Sequence, residues 1–132
     1  MRTASDSMAA SVRRAACSWA IVAAMSYAPA GIRGFSTGHR ANQFGRIKDY
    51  HRSARENQLL AVQIECETGV ANAAEIAAVK GVDVLFVGPG DLSTNMDAMG
   101  NPGADHVQDA IARVLQAARG AGKAAGILAP VK

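Results

Sequence analysis

Two apolar runs, Leu59–Ile64 and Val82–Val87, stand out along the chain and predict strands covered on both faces. Between them, Thr68 to Val79 predicts a short helix, closed by Gly81 at the position a helix C-cap prefers. Further on, Val107, Ala110, Ile111, Val114, Leu115 and Ala118 recur at the i, i+3, i+4, i+7 spacing of a helix lying on a sheet. Asp105–Gln108 reads as a capping-box variant at its start, and Gly120 and Gly122 close it. Lys123–Leu128 predicts a third strand, and Gly45–Asn57 an upstream surface helix with Ile47, Tyr50 and Ala54 on its inner side. The order strand–helix–strand–helix–strand is that of an α/β protein built on a parallel sheet.

The first 24 residues admit two readings. A basic start followed by an uncharged run has the outline of a signal peptide, with Ala28-Pro29-Ala30 as a small-residue cleavage site. The competing reading is a helix with Val12, Ala16, Trp19 and Ala23 on one face, or a ragged start that the domain does not use. The run is too short to span a membrane. Tyr27–Gly34 is turn-rich, so residues 1–26 form a separate N-terminal segment and residues 27–132 one domain.

Chemistry enters where the predicted strands end. A parallel strand–helix–strand unit brings the C-terminal ends of its strands side by side. The first strand runs into Glu65 and the second, through Gly88-Pro89-Gly90, into Asp91. Two carboxylates so placed can converge on one divalent metal. Asp91 has a plainer reading as the cap of a helix beginning at Leu92. The glycines of the turn allow close backbone approach to a ligand. Gln63, the polar residue in an apolar run, is either a buried hydrogen-bond hub or a substrate contact. Cys66 points away from Glu65 as a small packing residue.

Composition narrows the class. At 132 residues, with 49% hydrophobic and 19% charged side chains, the chain suits one globular domain and excludes a disordered or membrane protein. Residues 1–59 hold 9 Lys/Arg against 3 Asp/Glu, and residues 60–132 hold 5 against 8. Arg33, Arg40, Arg46, Lys48, Arg52 and Arg55 lack aromatic interleaving and zinc-ligand spacing, which argues against nucleic acid. Cys17 and Cys66 make no disulfide framework and point to a reducing compartment, the cytoplasm.

Several segments together carry a resemblance: Gly31-Ile32-Arg33-Gly34, Ser36–Asn42, Gln63-Ile64-Glu65, Gly81-Val82-Asp83, Gly88–Leu92 and Gly122–Val131. From Tyr27 to Val131 the chain resembles the HpcH/HpaI family of metal-dependent, class II pyruvate aldolases. His39–Asn42 and Ile127–Pro130 suit the branch that acts on 2-dehydro-3-deoxyglucarate. The resemblance implies a fragment, the middle-to-late strands, of a TIM (β/α)8 barrel with its site at the C-terminal ends of the strands. It implies that Glu65 and Asp91 hold Mg2+ or Mn2+. Gln63, the backbone of Gly90, and Asp91 would contact a 2-oxo acid such as pyruvate. Where this chain has Gly90 the family often has Ala or Ser, so a hydroxyl contact is lost while the amide is kept. The implied reaction cleaves a 2-keto-3-deoxy sugar acid to pyruvate and an aldehyde, tartronate semialdehyde. No lysine Schiff base is needed, and Lys80 and Lys123 read as surface or strand-end charges.

The family's catalytic histidine and its substrate-binding arginine lie upstream of the matching region, so neither is carried over to this chain. His39, His51 and His106 fall in loop or surface-helix contexts and are not substitutes. A (β/α)8 barrel takes about 250 residues, so the expectation is a chain truncated at both ends, carrying metal ligands without a base, and with impaired activity. Family members assemble as homo-oligomers. Two alternatives are an acyl-lyase of the citrate-lyase β-subunit type and a non-catalytic barrel remnant or binding module.

Overall fold

In the computed structural model, which describes residues 17–129, the three predicted strands form one parallel sheet. Strands β1 (Ala61–Ile64), β2 (Val84–Val87) and β3 (Ala124–Ile127) lie side by side in chain order. Each is shorter than its apolar run, since Leu59 is solvent-exposed and Leu60 and Val82 are buried outside the ladder. The helices are α1 at residues 17–25, α2 (Tyr50–Ser53), α3 (Glu67–Ala71), α4 (Ala73–Ala78), α5 (Pro89–Asn95) and α6 (Asp105–Gly120).

Helices α3 to α6 gather over one face of the sheet. Ile64, Leu85 and Val87 face them and are buried with Ile76, Leu92, Val107, Ile111 and Val114. The predicted stripe of α6 supplies much of this core, although Leu115 sits at its edge, half-buried. The expectation of strands covered on both faces is corrected. On the other face Ala61, Gln63 and Ala124 are exposed, and Val84 and Phe86 are half-buried. Gly126 is needed there, because a Cβ would stand 2.7 Å from the Phe86 ring across the β2–β3 pairing.

Four further expectations are corrected. The single helix from Thr68 to Val79 is two, α3 and α4, divided at Asn72 (φ −101°, ψ 8°). The Asn72 side chain donates to the carbonyl of Thr68 at 2.6 Å, competing with the helical backbone. The helix over Gly45–Asn57 shrinks to the four residues of α2. Gln43, Phe44 and Gly45 all have positive φ, and the Asn42 side chain bonds Thr37, His39 and Gly45, so a tight loop occupies the approach to it. Ala54 is buried as expected, but Ile47 is exposed. At the start of α6, Ala104 is the N-cap and no side chain caps it. Gln108 instead donates to the carbonyl of Pro102. On α1, Ala23 is buried but Trp19 is 66% exposed, so they do not share an inner face. Val12, Ala16 and the basic start of the possible leader lie outside the described residues. None of the described helices is long and apolar enough to cross a membrane.

At the N-terminal end of the sheet, Arg55 ties the segment before β1 to the segment before β2. Its guanidinium donates to the carbonyls of Gln58 and Gly81 and pairs with Asp83 at 3.3 Å. Asp83 in turn accepts from the backbone N–H of Leu60 at 2.8 Å. That hydrogen bond, opposed by desolvation and supported by Arg55 and Lys123, holds the Asp83 carboxyl below its ordinary pKa.

Candidate functional site

The sheet register places Ile64 opposite Val87, so Glu65 and Gly88 leave the sheet level with each other. Gly88 donates its N–H to the carbonyl of Ile64 at 3.3 Å. Side chains alternate along a strand, so Gln63 and Glu65 share the face that none of the described helices covers. The Gln63 amide Nε2 donates to Glu65 Oε1. Gln63 is therefore exposed and bonded to the acid, which removes the buried-hub reading.

Gly88 makes room for this pair. A Cβ there would stand 2.7 Å from Glu65 Oε1 and 3.0 Å from Gln63 Nε2. Its φ of −97° is open to any residue, so a Cβ there is opposed by the Glu65 and Gln63 side chains it would displace and not by backbone conformation. At Gly90 a Cβ would meet nothing within 4 Å, so crowding places no demand on that position.

Asp91 lies in the first turn of α5, whose N-cap is Gly88 and whose first helical residue is Pro89. Proline suits that place, where its missing N–H is no loss. The helix thus starts three residues earlier than Leu92, and Asp91 is not its cap. The Asp91 side chain is instead turned to Glu65. Partial burial raises the Glu65 pKa, and the charge of Asp91 and a hydrogen bond shared with it raise it further, while Gln63 pulls it down. Two acids held this closely favour a proton or a cation between them.

The donor set fits a hard divalent ion. Among the described residues no group of three or more His, Cys, Asp and Glu side chains could hold a metal. Mg2+ does not require one, since it is commonly bound through one or two carboxylates and completes its shell with water and substrate oxygens.

The other candidates lie elsewhere. His39 accepts from the N–H of Asn42, and its ring stands with those of Tyr50 and His51. His51 stacks against Phe35 and Tyr27, and Arg33 sits over the Tyr27 ring at 4.7 Å. His106 meets the carbonyl of Met96. None of these contacts involves Gln63, Glu65 or Asp91. A cleft of about 1000 Å3 opens at the other end of the sheet, lined by Trp19, Val22, Arg55, Gly81 and Asp83. It includes none of the predicted site residues.

Two contacts at the site have no counterpart in the sequence reading. Cys66 is the N-cap of α3, its sulfur accepting from the N–H of Gly69 at 3.4 Å, which replaces its expected role as packing. Asn95, at the end of α5, accepts from the N–H of Glu67 at 3.0 Å. Only its place four residues after Asp91 could have pointed to it.

The profile of the HpcH/HpaI aldolase/citrate lyase family matches residues 8–131. A hydroxypyruvate/pyruvate aldolase of Delftia acidovorans is 53% identical over 111 residues, 83% of this chain and 41% of the relative. A 5-keto-4-deoxy-D-glucarate aldolase of Escherichia fergusonii is 48% identical over 111 residues, 84% of this chain and 43% of the relative. The crystal structure of an HpcH/HpaI aldolase/citrate lyase family protein from Burkholderia cenocepacia J2315 superposes with a TM-score of 0.84 at 37% identity, covering 87% of this chain and 46% of that one. The chain thus spans less than half the length of these relatives. It belongs to the HpcH/HpaI aldolase/citrate lyase family, and its three-stranded parallel sheet corresponds to part of that family's (β/α)8 barrel.

Proposed function

We propose that this chain carries the cation- and substrate-binding part of a class II pyruvate aldolase. The reaction is cleavage of a 2-keto-3-deoxy sugar acid, such as 2-dehydro-3-deoxyglucarate, to pyruvate and tartronate semialdehyde. The observation that carries the reading is the register that brings the C-terminal ends of β1 and β2 level, so that Glu65 and the first turn of α5 with Asp91 share one end of the sheet, with Gln63 bonded to Glu65. The names of the Delftia and Escherichia relatives, a pyruvate aldolase and a keto-deoxy sugar acid aldolase, support the substrate class.

In this reading Glu65 and Asp91 hold Mg2+ or Mn2+. A bound ion would supply Lewis-acid chemistry towards the 2-oxo acid there. Gln63 is placed to hold the Glu65 carboxylate and to offer an N–H to a substrate oxygen. The backbone of Gly90 approaches the same substrate, and the first turn of α5 orients Asp91. The proton released from the substrate hydroxyl needs a base, and none is assigned to His39, His51 or His106.

Calorimetric titration of pyruvate tests the reading. Pyruvate is expected to bind only with Mg2+ or Mn2+ present and to bind more weakly to Gln63→Ala. Equal binding with and without the ion would sink it. The same chain is expected to release little or no pyruvate from 2-dehydro-3-deoxyglucarate, and turnover at an ordinary aldolase rate would show that it holds an unassigned base.

A further inference from the structure

The inference here rests on the divalent-cation reading of Glu65 and Asp91. Two segments bear that pair, the turn from β1 into α3 and the helix α5. The Asn95–Glu67 hydrogen bond joins them a second time. Asn95 follows Asp91 by four residues, so the two side chains project from one face of α5. Glu67 follows Glu65 by two. The neutral link therefore sits just over one helical turn, about 6 Å along the axis, from the acidic contact.

The donor at this link would otherwise lack a partner in its own helix. Glu67 is the first residue of α3, and the first N–H groups of a helix have no intrahelical acceptor. The local cap does not supply one, because the sulfur of Cys66 is engaged by Gly69. Asn95 supplies it from a different helix.

We infer that Asn95 is a positioning residue: by accepting from the Glu67 N–H it holds the β1–α3 turn against α5 at the separation where the Glu65 and Asp91 carboxylates reach one divalent cation. It touches neither cation nor substrate and acts through the backbone of Glu67.

The test is Mn2+ affinity of the full 132-residue chain, read from the electron paramagnetic resonance signal of free Mn2+, with thermal unfolding of each variant alongside. Asn95→Leu removes the acceptor at similar volume. Glu67→Pro removes the donor, and the site suits it. Proline is favoured at the first helical position, and the extended backbone of Cys66 (φ −146°, ψ 156°) is what a following proline requires. Glu67→Ala keeps the N–H and controls for the lost side chain.

Asn95→Leu and Glu67→Pro are each expected to weaken Mn2+ binding about tenfold, Glu67→Ala to stay within about twofold of wild type, and the double variant to be no weaker than either single one. Wild-type affinity in Asn95→Leu, additive losses in the double variant, or a Glu67→Ala loss equal to that of Glu67→Pro would each overturn the role. If Asn95→Leu does not fold, Glu67→Pro set against Glu67→Ala decides the matter from the donor side. Failure of the cation reading looks different: the wild-type chain binds no Mn2+, or Glu65→Gln binds it as tightly as wild type.

Discussion

At the scale of single residues, the site depends on a side chain that is missing. Gly88 stands level with Glu65, and the volume of one methyl group there is already taken by the Glu65 carboxylate and the Gln63 amide. Because the φ of Gly88 is ordinary, Gly88→Ala is expected to fold with stability within about 1 kcal/mol of wild type. The cost falls on the displaced Glu65 end group, and Mn2+ affinity is expected to drop about tenfold or more. Unchanged affinity in a folded Gly88→Ala chain would mean that the Glu65 carboxylate does not sit where it is needed. Glu65 and Asp91 are legible in the sequence because each follows an apolar run, and parallel strands align such ends. Asn95 and Cys66 are not legible in that way. Each acts through one hydrogen bond to a backbone N–H, and neither apolar periodicity nor acidic spacing records such a bond.

At the scale of elements, what the sequence shows well is burial on one side. The stripe of α6 and the apolar ends of β1 and β2 become the core because their periods match their elements. Element ends are less legible. Asn72 divides a predicted helix through its own side chain, and Asn42 organises a loop that preempts most of another. The second face of the sheet also differs from its expectation, since an apolar run does not say how many faces are covered. The Arg55–Asp83–Leu60 network at the N-terminal strand ends gives a pH prediction. The Asp83 pKa is lowered on folding, so its contribution is fully present above the ordinary carboxylate value, near 4, and is lost as pH falls through the folded value. Asp83→Asn is therefore expected to be less stable than wild type at pH 7, and the gap is expected to narrow towards pH 3. Urea unfolding at the two pH values measures this; a gap that does not narrow would place the Asp83 effect outside its charge.

At the scale of the whole molecule, the chain has two unlike ends of one sheet. At the N-terminal strand ends an ion pair and its backbone hydrogen bonds close the connections, beside an open cleft. At the C-terminal ends two acids meet beside the Gln63 amide. Barrels of this kind keep chemistry at the C-terminal ends of their strands and stability at the other, and the proposed cation site lies at the C-terminal ends. The sequence makes the barrel fragment legible through its strand order and its family segments. It leaves open which sheet face is bare, because that depends on which strands close the barrel and not on the apolar pattern of these three.

The central claim is that Glu65 and Asp91 jointly hold a divalent cation. Mn2+ titration of the 132-residue chain tests it most directly, comparing wild type with Glu65→Gln and Asp91→Asn, each checked for folding. One saturable site in the wild-type chain, weakened by either substitution, is the expected result. Mn2+ binding that both substitutions leave unchanged would contradict it.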